Sequence, residues 1–176
     1  VDGSAQCDAA VSWAANEALM RNVPLTIAHV ISPVTVGWSP AGMTGTPVLQ
    51  QIGEWQAEQA QRTVGDAVRI AREISAGDAL RIDTETSCGP IVPVLRDLGK
   101  QSALVVVGSR GNRAPARMIL GSVSTALVHH SYCSVAVVGG PMPPERRQAP
   151  VVVGIDGSPA SEKATALAFD EASWHN

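Results

Sequence analysis

Residues Leu104 to Ser124, LVVVGSRGNRAPARMILGSVS, constrain the fold more than any other part of this chain. Leu104, Val105, Val106 and Val107 form an apolar run that stops at Gly108; Gly111 follows, and a Gly121-Ser122 pair comes ten residues later. A short valine-rich run closed by glycine is the pattern of a buried parallel strand. A strand that passes through a glycine-rich loop into a helix turns backbone N–H groups toward an anion. The stretch therefore predicts a strand, an anion-binding loop and a helix start; the bland alternative is an empty structural turn, because glycines at such spacings are common in loops.

The flanking sequence alternates between the same two kinds of element. Ser4 is placed to cap a helix over Ala5 to Arg21, which Pro24 ends, and Leu25 to Ile31 reads as a strand. Ser32 to Gly53 gathers proline and glycine with little periodicity and reads as an irregular loop containing Trp38 and Met43. Glu54 to Ile74 is helical in pattern, with Trp55, Ala60, Val64, Ala67, Val68 and Ala71 on one side and Gly77 closing it. A strand over Leu80 to Ser87, a helix from Ile91 to Gln101, a helix from Gly121 to His130 and a strand over Ser134 to Val138 complete the series. This order predicts an α/β fold with an open, mostly parallel, doubly wound sheet. Such a unit normally opens with a strand, and here Val1-Asp2 stands where that strand would end.

Composition narrows the partners. Charged residues are 16% of the chain and the net charge is -3, so there is no basic field of the kind that nucleic acid requires. Cys7, Cys88 and Cys133 are odd in number and widely spaced, which disfavours a disulfide framework or a zinc site and fits a reducing cytoplasm. His129 and His130 read as surface residues late in a helix, and no residue is assigned to a metal. No run approaches a membrane span, and no basic stretch followed by an apolar one marks an export signal. The expected protein is cytoplasmic, with neither nucleic acid nor membrane as a partner.

The end of the chain repeats its beginning. Asp156-Gly157-Ser158 lies 154 residues after Asp2-Gly3-Ser4, and the same offset aligns Ala14 with Ala168, Glu17 with Glu171 and Ala18 with Ala172. Gly139 to Pro150 contains four prolines and reads as a linker. The expected organisation is a domain over 1–140, a proline-rich linker over 141–150 and the truncated start of a second repeat over 151–176. By this reading the chain is a fragment of a longer tandem protein. The run Val151 to Ile155 is what one expects ahead of Asp2, and it is a candidate to fill the place of the missing first strand, which would bring Gly154 and Asp156 to the site.

Ligands of doubly wound sheets bind at the carboxyl ends of the strands. Asp2 stands at the end of the first strand position, where its carboxylate serves a ribose contact, a helix cap or both, and Asp156 carries the same two readings. His29-Val30 ends the next strand and suits backbone contacts to a flat heterocycle. Gly108, Ser109, Arg110, Gly111, Asn112 and Arg113 form the loop, where glycines allow close approach and positive φ. Gly121, Ser122, Val123 and Ser124 begin the following helix, with unpaired N–H groups and two further hydroxyl donors. Arg113 and Arg117 either contact phosphate or are simply solvated. There is no Walker A sequence and no Gly-x-Gly-x-x-Gly fingerprint, and no paired carboxylates or Cys-His arrangement suggest a catalytic residue.

Gly108-x2-Gly111-x9-Gly121-Ser122 behind a valine strand resembles the nucleotide-binding motif of the universal stress protein family. The Asp-Gly-Ser start, the Leu-Gly-Ser-Val-Ser helix start, the Cys133 to Val138 strand and the Ala149 to Ser158 junction extend that resemblance over nearly the whole chain, and the junction looks like the seam of the tandem-domain bacterial members. The resemblance implies the adenine nucleotide α-hydrolase-like fold, a five-stranded parallel sheet of order 3-2-1-4-5, usually as a homodimer. It implies ATP, with or without Mg, as the ligand, with Asp2 by the adenosine, Val30 near adenine, and Gly108 to Arg113, Gly121, Ser122 and Val123 along the ribose and phosphates. The function expected is an ATP-binding protein regulating stress response or growth; an interaction module with an empty pocket and a slow ATPase are the alternatives.

Overall fold

The computed structural model describes residues 1–33, 46–76, 80–111, 120–141, 143 and 149–174. Helices and strands alternate along it: α1 (Ala5–Arg21), β1 (Leu25–Ile31), α2 (Thr46–Ser75), β2 (Ile82–Cys88), α3 (Ile91–Gly99), β3 (Leu104–Gly108), α4 (Ser122–His130), β4 (Ser134–Val138) and α5 (Pro159–Trp174). The chain divides into two compact units, Val1–Gly140 and Pro141–Asn176. Trp38, Met43, Gly77, Asn112, Arg113 and Arg117 lie outside the described residues.

The alternating pattern gives the α/β class with parallel pairing, as expected. β1 pairs in parallel with β2, from Leu25↔Ile82 to Ile31↔Cys88, and β3 pairs in parallel with β4, from Leu104↔Ser134 to Gly108↔Val138. These are the pairs expected on either flank of the sheet. The expected continuous five-stranded sheet is not what the described residues form; they make two two-stranded sheets. Val151–Ile155, the candidate for the central place, belongs to no strand, and Val152 is 88% exposed. β3 and β4 are half-buried throughout rather than enclosed.

Val1 lies beside β1, where the expected first strand would end. Its nitrogen donates to Ala28 O in β1, and its carbonyl meets His29 Nδ1 at 2.8 Å. The core then grows on the β1 side, where Cys7, Val11 and Ala15 of α1 pack with Ile27 and with Ala67 and Ala71 of α2. The small side chains allow the two helices to approach closely, and α1 also reaches β3 and β4. Glu17, buried on α1, is held by Arg21 one turn later. On the remaining elements α3 packs against α4.

Several element boundaries differ from expectation for local reasons. α1 ends at Asn22, which adopts a left-handed φ of 52° and donates to Ala18 O and Leu19 O, so Asn22 is the stop and Pro24 follows it. α2 starts at Thr46, so Thr46 to Gly53 is helix rather than loop; Pro47 is compatible with a first helical turn, whose N–H groups lack intrahelical partners. Trp55, expected on the packed side of α2, is 61% exposed. The second strand begins at Ile82, and the helix expected to reach Gln101 ends at Gly99. His129 and His130 are exposed in the last turn of α4, as expected.

Candidate functional site

The site is built where α1, β3 and α4 begin or end. At the head of α1, Asp2 Oδ1 accepts from Ser4 N at 3.0 Å, Gly3 turns the chain at φ 73°, and Ser4 Oγ accepts from Cys7 N at 3.1 Å. This is an aspartate turn followed by a serine cap. It leaves Asp2 Oδ2 against the loop after β3: a Cβ added to Gly111 would lie 2.5 Å from that oxygen. Asp2 and Gly111, more than a hundred residues apart in sequence, therefore meet, and a side chain at 111 would require the carboxylate to turn away from its present place.

Gly108 is needed for a different reason. A Cβ there would stand 3.0 Å from the backbone carbon of Gln6 and 3.1 Å from its oxygen, so the end of β3 lies directly against the first turn of α1. Gln6 gave no signal of this role in the sequence, because the signal sits in its glycine partner. The expected use of positive φ is corrected here. The left-handed glycines among the described residues are Gly3, Gly89, Gly140 and Gly157, while Gly108 and Gly111 serve through the space they leave; a Cβ on Gly121 would meet its neighbours only at ordinary contact distances of 3.5 Å or more.

The base of the loop is closed by a compact set of hydrogen bonds. Ser109 N donates to Val138 O at 2.8 Å, continuing the β3–β4 ladder, and Gly121 N donates to Ser109 O at 2.6 Å. Ser124 Oγ, 2% exposed as a residue, lies 3.0 Å from both Ser109 O and Gly121 O. Its proton is thus committed to holding the two ends of the loop together, which makes Ser124 a positioning residue. Arg110 is half-buried at the start of the loop.

α4 opens without a side-chain cap, because Gly121 occupies the cap position. The first intrahelical bond is Thr125 N to Gly121 O at 3.0 Å, so the N–H groups of Ser122, Val123 and Ser124 precede it. Uncapped first-turn N–H groups, with the positive end of the helix dipole behind them, suit an anion. Ser122 is exposed and Val123 half-buried. Val30 is half-buried in β1, paired in register with Ser87. The glycine loop and the uncapped helix N-terminus fit the phosphates of a nucleotide, and the Asp2 carboxylate at the loop suits a hydroxyl donor rather than a phosphate. Among the described residues no group of three His, Cys, Asp or Glu side chains could hold a metal ion.

Comparison with known proteins decides the family. The model of the universal stress protein family matches residues 1–139. This chain belongs to that family. It is 43% identical over 176 residues to a universal stress protein of Mycobacterium tuberculosis strain H37Rv, covering 98% of this chain and 58% of the relative. A universal stress protein of Mycolicibacterium smegmatis is 43% identical over 175 residues with the same coverage. The chain thus spans under three fifths of the length of these curated relatives, at 58%. Among solved structures, a universal stress protein from Lactobacillus plantarum matches with TM-score 0.65 and 29% identity, over 79% of this chain and 93% of that one. A universal stress protein solved in complex with cAMP matches with TM-score 0.54 and 25% identity, over 78% and 90%.

The second Asp-Gly-Ser of this universal stress protein builds the same turn as the first. Asp156 Oδ1 accepts from Ser158 N at 2.9 Å, Gly157 has φ 79°, and Ser158 Oγ accepts from Ser161 N at 3.3 Å ahead of α5. Hydrogen bonds from the Ser158 hydroxyl and N–H hold the Asp156 carboxyl below its ordinary pKa. Within this unit a groove of about 500 Å³ is lined by residues that include Gly154, Asp156, Ser158 and Ser161. No helix among the described residues is long and apolar enough to cross a membrane.

Proposed function

We propose that this universal stress protein binds ATP and acts through the bound nucleotide as a regulator of stress response or growth, without a dedicated catalytic residue. The observation that carries the reading is the meeting of Asp2 with Gly111 beside the uncapped start of α4. Asp2 is suited to the ribose hydroxyls, Val30 to adenine, and Gly108, Ser109, Arg110, Gly111, Asn112 and Arg113 to the phosphates together with Gly121, Ser122 and Val123. The cAMP complex of a related protein, 25% identical, supports an adenine nucleotide as the ligand class. Magnesium would arrive with ATP and be held mainly by its phosphates.

The same reading takes 1–140 as the nucleotide-binding domain, 141–150 as a linker and 151–176 as the start of a second repeat, in which Gly154 and Asp156 hold the places ahead of and at the aspartate turn. A cytoplasmic homodimer belongs to the proposal as well. A second reading, an interaction module whose pocket stays empty, is favoured by one observation: among the described residues no strand joins the two sheets.

Calorimetric titration with ATP tests the choice. Wild type should bind, and Gly111→Ala should weaken binding on the order of tenfold or more, because displacing a carboxylate from its hydroxyl contact costs roughly 1.5–3 kcal/mol. No binding heat with ATP, joined to no nucleotide in the mass spectrum of the purified protein, favours the empty pocket.

A further inference from the structure

The chain has a single tyrosine, and it stands far from the nucleotide loop. Tyr132 immediately precedes Cys133 and the first β4 residue, Ser134, which pairs with Leu104; the loop leaves β3 from the other end of the same ladder, at Gly108↔Val138. Five strand residues separate the two ends, about 15 Å at the usual rise. Tyr132 is 57% exposed in the short connection between α4 and β4.

Two cations from α3 and its end converge on this side chain. Arg96 Nη2 donates to the Tyr132 hydroxyl at 3.0 Å, and its guanidinium carbon is 5.0 Å from the ring centroid. Lys100 Nζ is also 5.0 Å from that centroid and contacts Asp97 Oδ1 at 2.6 Å. Arg96 Nε is buried and without a hydrogen-bond partner. The phenol oxygen offers little to so many donors: two positive charges, offset by one carboxylate, face a neutral acceptor. Cation–π attraction accounts for the packing of either cation on the ring, but it leaves the surplus of N–H donors unused. The nearby C-terminal end of α4 is a negative helix end, so an added anion here depends on those two cations.

We propose that Tyr132 is a tyrosine phosphorylation site whose phosphate is received by Arg96 and Lys100. In the transfer the phenol oxygen attacks the γ-phosphorus of a nucleoside triphosphate held by a protein-tyrosine kinase. The O–H proton is lost to the kinase's base, the new P–O bond forms and the nucleoside diphosphate leaves. The product carries about −1.5 to −2 charge and three acceptor oxygens on the hydroxyl position that Arg96 already contacts, within reach of the flexible Lys100 side chain over the ring. Guanidinium can then bond two oxygens at once, and Lys100 gains a second anionic partner besides Asp97. The modified side chain ties α3 to the α4–β4 connection. The inference is independent of nucleotide binding at the loop.

The test treats the full chain with a protein-tyrosine kinase and ATP and reads the intact mass. One phosphoryl group should be gained by wild type and none by Tyr132→Phe, which keeps the ring and its packing. The phosphotyrosine is then titrated by phosphorus NMR in wild type and in an Arg96→Gln/Lys100→Gln chain, both of which keep the nearby His129 and His130 unchanged. Reception by the two cations predicts a pKa at least about 0.5–1 unit below the ordinary value near 6 in wild type, returning toward 6 in the double variant. The proposal is overturned if the folded chain is not phosphorylated, or if the phosphate titrates identically in the two proteins.

Discussion

Replacing Gly108 by alanine separates close packing from backbone freedom as the reason for a loop glycine. The residue does not adopt positive φ, so alanine fits the backbone conformation and, in open space, would stabilise by about 0.4–1 kcal/mol through a less mobile unfolded chain. The space is not open. The new methyl would stand 3.0 Å from Gln6 C, 3.1 Å from Gln6 O and 3.2 Å from Gln6 Cβ. Two of these atoms are backbone, fixed in the first turn of a 17-residue helix that carries the core residues Cys7, Val11 and Ala15. Relief requires the head of α1 to move, and such overpacking costs roughly 1–3 kcal/mol. The net loss is about 0–2.6 kcal/mol and centres at about 1.3, equivalent at the centre to about 3–5 °C in Tm for a protein of this size. Thermal unfolding followed by far-ultraviolet circular dichroism measures it. A Gly108→Ala chain as stable as wild type would show that α1 and β3 are not in this contact, and would remove the structural basis assigned here to the first loop glycine.

Gly53 and Gly65 on α2 have nothing within 4 Å of an added Cβ, so alanine at either should raise stability by roughly 0.5–1 kcal/mol in the same assay. Ser4→Ala removes the cap from α1, which is packed into the core, and should destabilise unit Val1–Gly140 by about 0.5–2 kcal/mol; Ser158→Ala should reduce helicity only in α5, read by amide exchange of Ser161 and Glu162. Because hydrogen bonds from Ser158 depress the Asp156 pKa below its ordinary value of 3.8, their contribution is present above that value and is lost as pH falls through the lower folded one. Carbon NMR of the Asp156 carboxyl should show this midpoint below 3.8 in wild type and closer to the ordinary value in Ser158→Ala; equal midpoints would dismiss the Ser158 hydroxyl as a cause. Asp97, depressed by the Lys100 hydrogen bond and charge, should behave in the same direction, with its midpoint rising in Lys100→Gln.

The strands were legible because valine and isoleucine between glycine and proline leave few other options. β1 and β4 have the residues expected of them, Leu25–Ile31 and Ser134–Val138. The start of α2 was not legible, because Pro47 and Gly53 read locally as breakers while a first helical turn tolerates the one and a long helix the other. Trp55 shows the complementary failure: helical spacing placed it on a common stripe, but spacing does not say how far along a 30-residue helix its packing partners reach. At the site, the glycine spacing announced a close approach without naming what approaches. Asp2 beside Gly111 and Gln6 beside Gly108 are tertiary contacts, and their positions in sequence carry no mark of one another. Ser124 was legible as a donor, but its acceptors, Ser109 O and Gly121 O, follow from the way the loop closes.

The Asp-Gly-Ser turn has a consequence for how the chain is made. The hydrogen bonds that form it, at Asp2–Ser4–Cys7 and again at Asp156–Ser158–Ser161, join residues no more than three apart. Contacts that short close on the timescale of helix nucleation, without waiting for a distant partner. Each copy can set the start of its helix as soon as a single turn has emerged from the ribosome, so α1 and α5 each take their start from their own first residues rather than from contacts made later.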